Sequence, residues 1–476
     1  MRIHSHRRAV ALAAALLAAL ATAVAVPATA RAAARDCTIT WVAPGNGSWS
    51  RPTNWSPARR VTADDDVCLP TGTPRRRIAV DVDQAASRLF TGDAVLVIAA
   101  GATLTVDTAV ADGETEVDGP GAWSTHYPTV ESGASLTLSN GIALSAWNLL
   151  STGPLHLRDH ATAGISVFRP IGDVDGDAST SVHADWLVGD AQTTVDVPLS
   201  ADQVDVMSGR LTVPQLAGVP ASGTARLGYV TVWRRSTLVL PHPIKTLVST
   251  SYGVTVEGGA SLLAATTGDS ALATLQHLRS GTLIVASDQD LTAPLTVDSG
   301  FLAVTGGVFA VPALSVSAGS QFALGRGATV RLAAGGDVTS NASVAGTRTR
   351  MDLTGGTVAG GIVQNDADAY VGSTSPGTPV VTVDGDWTSA PNALLSLATP
   401  VLDGTDHAPS TLHVHGDATL RGRLSVRAPA ETAPVGTRAV LVEVDGRLRA
   451  GFGKTTAPPG WTLSTTAHAI VATYTG

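Results

Sequence analysis

The sequence predicts an all-β protein wound as an elongated solenoid, and three observations carry that expectation. From about Ile78 onward, short runs of Val, Leu, Ile and Thr alternate with Gly, Asp, Asn and Ser, the pattern of strands of about four to six residues separated by turns. A Gly-small-Ser/Thr-Leu phrase recurs at Gly101-Ala-Thr-Leu104, Gly133-Ala-Ser-Leu136, Gly259-Ala-Ser-Leu262, Gly281-Thr-Leu283 and Gly327-Ala-Thr-Val330, each reading as a turn that enters a strand. Gly281, Gly300 and Gly319 open such phrases about 19 residues apart, a period that marks stacked repeats and has the length of one parallel β-helix coil.

Composition agrees. Aromatic residues make up 4% of the chain and hydrophobic residues 44%. A solenoid coil buries only a thin strip against its neighbour, so small and branched side chains serve it better than bulky rings. An array of immunoglobulin-like sandwiches, the main competing architecture, would repeat a Trp or Tyr at a fixed place in each unit. The nine tryptophans are irregularly spaced. Ala271 to Arg279 is the best candidate for a helix and reads equally well as an irregular loop.

In chain order, Arg2, Arg7 and Arg8 precede an Ala/Leu-rich stretch from Ala9 to Val26, and Ala28-Thr29-Ala30 offers a small-residue cleavage site. Residues 1–30 therefore read as an export signal, with a retained membrane anchor as the alternative. Cleavage leaves a secreted chain with no membrane span, and it removes three arginines from a chain whose formal net charge is already −8. Such an acidic protein is a poor partner for nucleic acid or anionic lipid, which call for clustered Lys and Arg. The one basic run, Arg75-Arg76-Arg77, reads as a solvated turn.

The only two cysteines are Cys37 and Cys68. In an exported chain the expectation is a disulfide, which would close an N-terminal capping region over residues 31–77. It would stabilise that cap by roughly 3.5 kcal/mol in the chain-entropy account. Coils are expected over residues 78–426, with the last coils and a cap over 427–476.

Both ends resemble a known group. Trp41-Val-Ala-Pro-Gly-Asn-Gly-Ser-Trp49, Asn54-Trp55-Ser56-Pro57 and Asp64-Asp-Asp-Val-Cys-Leu-Pro70 look like the opening of exported bacterial β-helix proteins. Val383-Asp-Gly-Asp-Trp387, the run from Ser410 to Val426, Val435-Gly436, Ala439 to Val442 and Gly451-Phe452 resemble the last coils of autotransporter-passenger-like (pectin-lyase-like) domains. The resemblance implies a single-stranded, right-handed parallel β-helix whose first coil is closed by tryptophans. A translocating barrel is not part of the pattern, and the cysteine pair is an addition to it.

Chemistry-bearing residues are sparse. Asp173, Asp175 and Asp177 alternate around Gly176 like the start of a calcium loop, without the distal Glu of an EF-hand. His413 and His415 lie two apart on one strand face and would suit zinc if a neighbouring coil added a ligand. Leu412 and Val414 take the inward positions, which turns both imidazoles outward as exposed, unliganded side chains. No Gly-x-Ser-x-Gly elbow or phosphate-binding Gly loop before a helix is present. Trp123, Tyr127, Trp147, Trp186 and Trp233 are the rings that would stack on a sugar if exposed, or pack between coils if buried.

The expected function is that of a secreted, non-catalytic solenoid, adhesive or structural, whose partner is an extracellular glycan or cell-surface component. No cofactor is expected unless the Asp173 cluster holds calcium. The alternative is a polysaccharide lyase or glycoside hydrolase that aligns Asp173, Asp175 and Asp202 or Asp205 on neighbouring coils.

Overall fold

A computed structural model describes residues 36–257, 260–340, 348–372, 380–399, 411–427 and 434–476. The expected export signal, Gly259 and Ser410 lie outside the described residues. Among those described, the only helical element is one 3-10 turn, Pro52–Asn54, and the rest of the regular structure is strand. The strands form sheets of 25, 11 and 9 members, almost all paired in parallel with the coil before and the coil after. The fold is a parallel β-helix.

Each coil has three sides. Along the N-terminal half, two of them come from a single strand: Thr103–Ala111, Ala122–Val130, Ala143–Ser151, Thr162–Pro170 and Ser181–Gly189. These stack so that Leu104, Trp123, Leu144, Ala163 and Val182 form one inward column. At nine residues they are longer than the sequence pattern suggests. Within Ala122–Val130, Trp123 and Thr125 face inward, His126 and Tyr127 both face out, and Pro128 and Val130 face inward again. Strict alternation places every second side chain on one face. Two adjacent outward residues therefore mark a bend, and the strand continues around it.

The third side is made of shorter strands, among them Glu114–Asp118, Ser135–Ser139 and Leu155–Leu157, with Val117, Leu138 and Leu157 stacked inward. The recurring Gly phrase marks corners rather than whole coils. Gly101 (φ +78°) precedes a bent strand, whereas Gly133 (φ +86°) precedes a third-side strand. A residue with a Cβ would be strained in either place. Gly281 and Gly300 pair directly across two coils, while Gly319 lies just ahead of Gln321–Leu324, which pairs with the strand Gly300–Val304.

From Leu295 onward the bent strand is replaced by two strands with a turn between them, as in Leu295–Val297 with Gly300–Val304, and Gly361–Gln364 with Asp368–Val371. Turn-forming residues such as Asp298-Ser299 and Asn365-Asp366 now occupy the bend. The two strands fuse again in Ala418–Arg427, which pairs with both Trp387–Ser389 and Leu394–Ala398. Ala271 to Arg279 is not a helix: it passes through turns that bury Ala271, Leu272 and Leu275, then enters the strand His277–Val285. This passage fills the break where the third side stops at Ser261–Ala264 and resumes at Gln289–Asp290.

Among the described residues, antiparallel strand pairs lie at the two ends, and the middle of the chain adds one isolated antiparallel bridge, Leu263 with Ser270. Ile39–Trp41 pairs with Trp55–Ser56, and Ala469–Tyr474 pairs with both Arg438–Val444 and Trp461–Thr465. At the N-terminal end Trp55 packs edge-on against Trp41 and Trp49, each with ring centroids 5.0 Å apart, and its indole N–H donates to the Trp49 carbonyl at 2.8 Å. Cys37 and Cys68 form a disulfide with Cα atoms 5.9 Å apart, tying the first strand to its parallel neighbour Asp66–Cys68. Beside it, Asp65 accepts hydrogen bonds from Arg59, Thr38 and Thr62. Chiefly through Arg59, these hold its carboxyl well below the usual carboxylate range.

Candidate functional site

The bend gives the N-terminal coils an outward surface two side chains wide. Register on either side of it stacks Asp107, His126, Trp147, Ser166, Asp185 and Asp202 in one column. Thr108, Tyr127, Asn148, Val167, Trp186 and Gln203 form the adjacent one. Tyr127 is 48% exposed and Trp147 57%, diagonal neighbours on successive coils. His126 Nδ1 lies 2.7 Å from Asp107 Oδ1, with the His126 and Tyr127 rings 6.2 Å apart. Next to this pair runs a groove of about 350 Å³ lined by Asp64, Ser87, Thr105, Asp107, Ser124 and His126 among others. Rigid parallel strands hold rings, hydroxyls and carboxylates at the strand spacing of about 4.8 Å.

Further along the same surface, His183, Asp185 and Asp202 bring one ligand atom each within 4.8 Å of the others, all three exposed. His183 also meets the Ser200 hydroxyl at 2.9 Å. Trp186 behaves differently from Trp147: its indole N–H donates to Asp205 Oδ2 at 2.8 Å, and Gln203 donates to the same oxygen at 2.7 Å. Asp205 is 4% exposed, with Thr231 stacked on it in the next coil. Burial outweighs these hydrogen bonds and pushes its carboxyl above the ordinary value. Of the five rings singled out in the sequence, Trp123 is buried and Trp186 and Trp233 are half-buried, which leaves Tyr127 and Trp147 as open stacking surfaces.

Asp173, Asp175 and Asp177 take separate paths. Asp173 Oδ1 accepts the Thr194 amide at 3.0 Å, one coil on. Asp177 accepts the amides of Asp159, at 2.7 Å, and Ser179, at 2.8 Å. Asp175 pairs with Arg158 and, at 2.9 Å, with His156. Burial works against its charge, but Arg158 and His156 outweigh it and hold the carboxyl below its usual range. A guanidinium and an imidazole on Asp175 oppose a further cation there.

Asp173 belongs to a wider pattern. Asp93 accepts the Glu114 amide, Asp288 that of Val308, Asp386 that of Asp417 and Asp417 that of Arg447, at 2.7–2.9 Å. A corner aspartate thus satisfies an amide of the following coil where the strand ladder turns away. Gly-Asp pairs such as Gly92-Asp93, Gly385-Asp386 and Gly416-Asp417 signal it in the sequence. The glycine is required by close stacking: a Cβ on Gly416 would lie 2.7 Å from the Gly385 carbonyl.

His413 and His415 do face outward, but they are not isolated. Asp445 and Asp384 of the flanking coils reach them.

No family model, no curated protein and no solved structure matches this chain. Neither the fold nor the bend surface inherits an activity from a relative.

Proposed function

We propose that the protein is an extracellular, non-catalytic β-helix that binds polysaccharide along the bend of its N-terminal coils. One observation carries this reading: Tyr127 and Trp147 leave about half of their surface in water, next to His126 and the groove of mixed polar and apolar side chains that it lines, on a backbone with little freedom to fold over them. An exposed ring on a rigid sheet stacks on the apolar face of a sugar, while Ser124, Asp107 and His126 are placed to bond its hydroxyls. The strand spacing is close to the length of one sugar ring, so a glycan chain can run along the solenoid axis. The carboxylates of Asp107, Asp185 and Asp202 favour neutral or cationic glycans over uronate-rich ones.

Export is supported by the Cys37–Cys68 disulfide and by the leader-like residues 1–30. Among the described residues no helix is long and apolar enough to cross a membrane. The pectin-lyase-like, autotransporter-passenger-like kinship and an adhesive role at a cell surface belong to the same proposal. They rest on the terminal phrases and the coil architecture.

A second reading has its own observation. The Asp185 and Asp202 oxygens lie within 4.8 Å of each other, near the separation of the two carboxyls in a retaining glycosidase. Incubating the mature protein with plant, fungal and bacterial polysaccharides, and assaying both retention on the solids and new reducing ends, separates the two. Retention without cleavage supports binding. New ends that disappear in Asp185→Asn and Asp202→Asn overturn it in favour of hydrolysis.

A further inference from the structure

Three successive coils bring two histidines and two aspartates together at a corner of the C-terminal half. The third-side strand Leu412–Val414 lies between Val381–Val383 and Arg438–Val444, which stacks His413 between Thr382 and Glu443. The ladder continues into the corner, where the His415 amide donates to Val383 and the Asp445 amide to Val414. His415 therefore stands between Asp384 and Asp445. The two imidazoles meet edge to face with centroids 4.6 Å apart. His413 Nε2 lies 2.9 Å from Asp445 Oδ1, and His415 Nδ1 lies 3.0 Å from Asp384 Oδ1.

We propose that His413, His415 and Asp445 form a binding site for a divalent transition-metal ion of the zinc type. One ligand atom from each lies within 4.8 Å of the others. Ligand bonds of about 2.0–2.2 Å in a tetrahedral site set ligand atoms about 3.4 Å apart, so closure asks for movements of little more than about 1 Å. Half-exposed side chains on the outside of a coil make such movements without disturbing the backbone, and solvent completes the fourth position. Asp384 supports the site from behind: its bond to Nδ1 of His415 holds the proton there and leaves Nε2 as the lone-pair donor. Imidazole nitrogens select zinc, nickel or copper over calcium or magnesium. The ion would replace the proton shared by His413 and Asp445 and tie two coils near the C-terminal end, as the disulfide ties the first strands.

The test is calorimetric titration of tag-free, chelator-treated full-length protein with Zn²⁺, with thermal unfolding run in parallel. The expected result is one ion per chain and a raised Tm. Affinity should fall at least tenfold in His413→Ala, His415→Ala and Asp445→Asn, and about tenfold in Asp384→Asn. It should be unchanged in His183→Ala, which probes the other histidine–aspartate cluster, and Ca²⁺ should not compete. Asp445→Asn keeps the side-chain size and a hydrogen-bond acceptor, so its loss of binding reads as loss of a ligand rather than of fold. Absence of Zn²⁺ binding, binding unchanged in His415→Ala, or loss confined to His183→Ala would overturn the proposal.

Discussion

The N-terminal coils, up to Val285, and the C-terminal coils, from Leu295, share one three-sided plan but turn its first corner differently. In the former a continuous strand bends at two outward residues, as at His126-Tyr127 and Trp147-Asn148. In the latter, up to Leu394–Ala398, the strand breaks and a turn such as Asp298-Ser299 takes its place, before the two pieces fuse again in Ala418–Arg427. Up to Val206 the continuous bend keeps successive coils in register through the corner, so their side chains line up into a surface; beyond it the pairing shifts, between Leu227 and Tyr229 and again after Leu247. A turn lets each coil leave the corner in its own way and gives no such alignment. Stacked chemistry in the C-terminal coils appears at another corner, where Val383-Asp-Gly-Asp, Val414-His-Gly-Asp and Val444-Asp-Gly-Arg superpose.

This difference predicts unequal tolerance to insertion. Two residues placed between His126 and Tyr127 should interrupt parallel pairing on both sides and cost more than about 4 kcal/mol, or prevent folding. The same insertion between Asp298 and Ser299 only lengthens a turn and should cost within about 1 kcal/mol. Chemical denaturation of the two variants checks this, and equal losses would break the comparison.

The two ends differ as well. The first strands are held by a disulfide and the tryptophan cluster, the last by an antiparallel hairpin around Trp461 and Tyr474. Replacing Cys37 and Cys68 by Ser should remove roughly 3.5 kcal/mol. Hydrogen exchange should locate the loosening in residues 36–90 and leave the C-terminal coils protected.

Two buried aspartates sharpen the contrast between cap and bend. Asp65→Asn should cost about 2 kcal/mol at neutral pH. Because the folded pKa of Asp65 is depressed, its contribution is complete above the unfolded carboxylate value of about 4 and is lost as the pH falls towards the folded one. Asp205 has the opposite sign: its folded pKa is raised, so ionising it costs stability at neutral pH, and that cost shrinks as the pH drops below the folded value and is gone at the unfolded carboxylate value of about 4. Asp205→Asn should therefore raise Tm at pH 7 and give no gain in acid. Thermal melts across pH 3–8 test both signs.

Much of this fold is legible in the sequence. The turn-strand grammar, the small-residue core and the cysteine pair lead directly to a disulfide-capped coil stack. The bend is not legible, because outward residues such as Trp147 and Asn148 in mid-strand break the two-residue alternation and make one strand look like two. Inter-coil contacts are harder still. Coil length drifts, Trp123 to Leu144 being longer than Ala163 to Val182, so sequence spacing does not reveal that Asp445 reaches His413 or that Asp185 stacks on Asp202. The calcium-like run has a structural origin of its own. Its aspartates alternate because this stretch passes from strand to corner, and each carboxylate meets a donor of its own.

Retention on insoluble polysaccharide, compared among wild type, Trp147→Phe and the Tyr127→Ala/Trp147→Ala double variant, tests glycan binding at the bend. The double variant should unfold within about 0.5 kcal/mol of wild type, as exposed substitutions do. It should lose retention at least tenfold, while Trp147→Phe keeps most of it. Equal retention by all three proteins would contradict the claim and move any binding surface away from Tyr127 and Trp147.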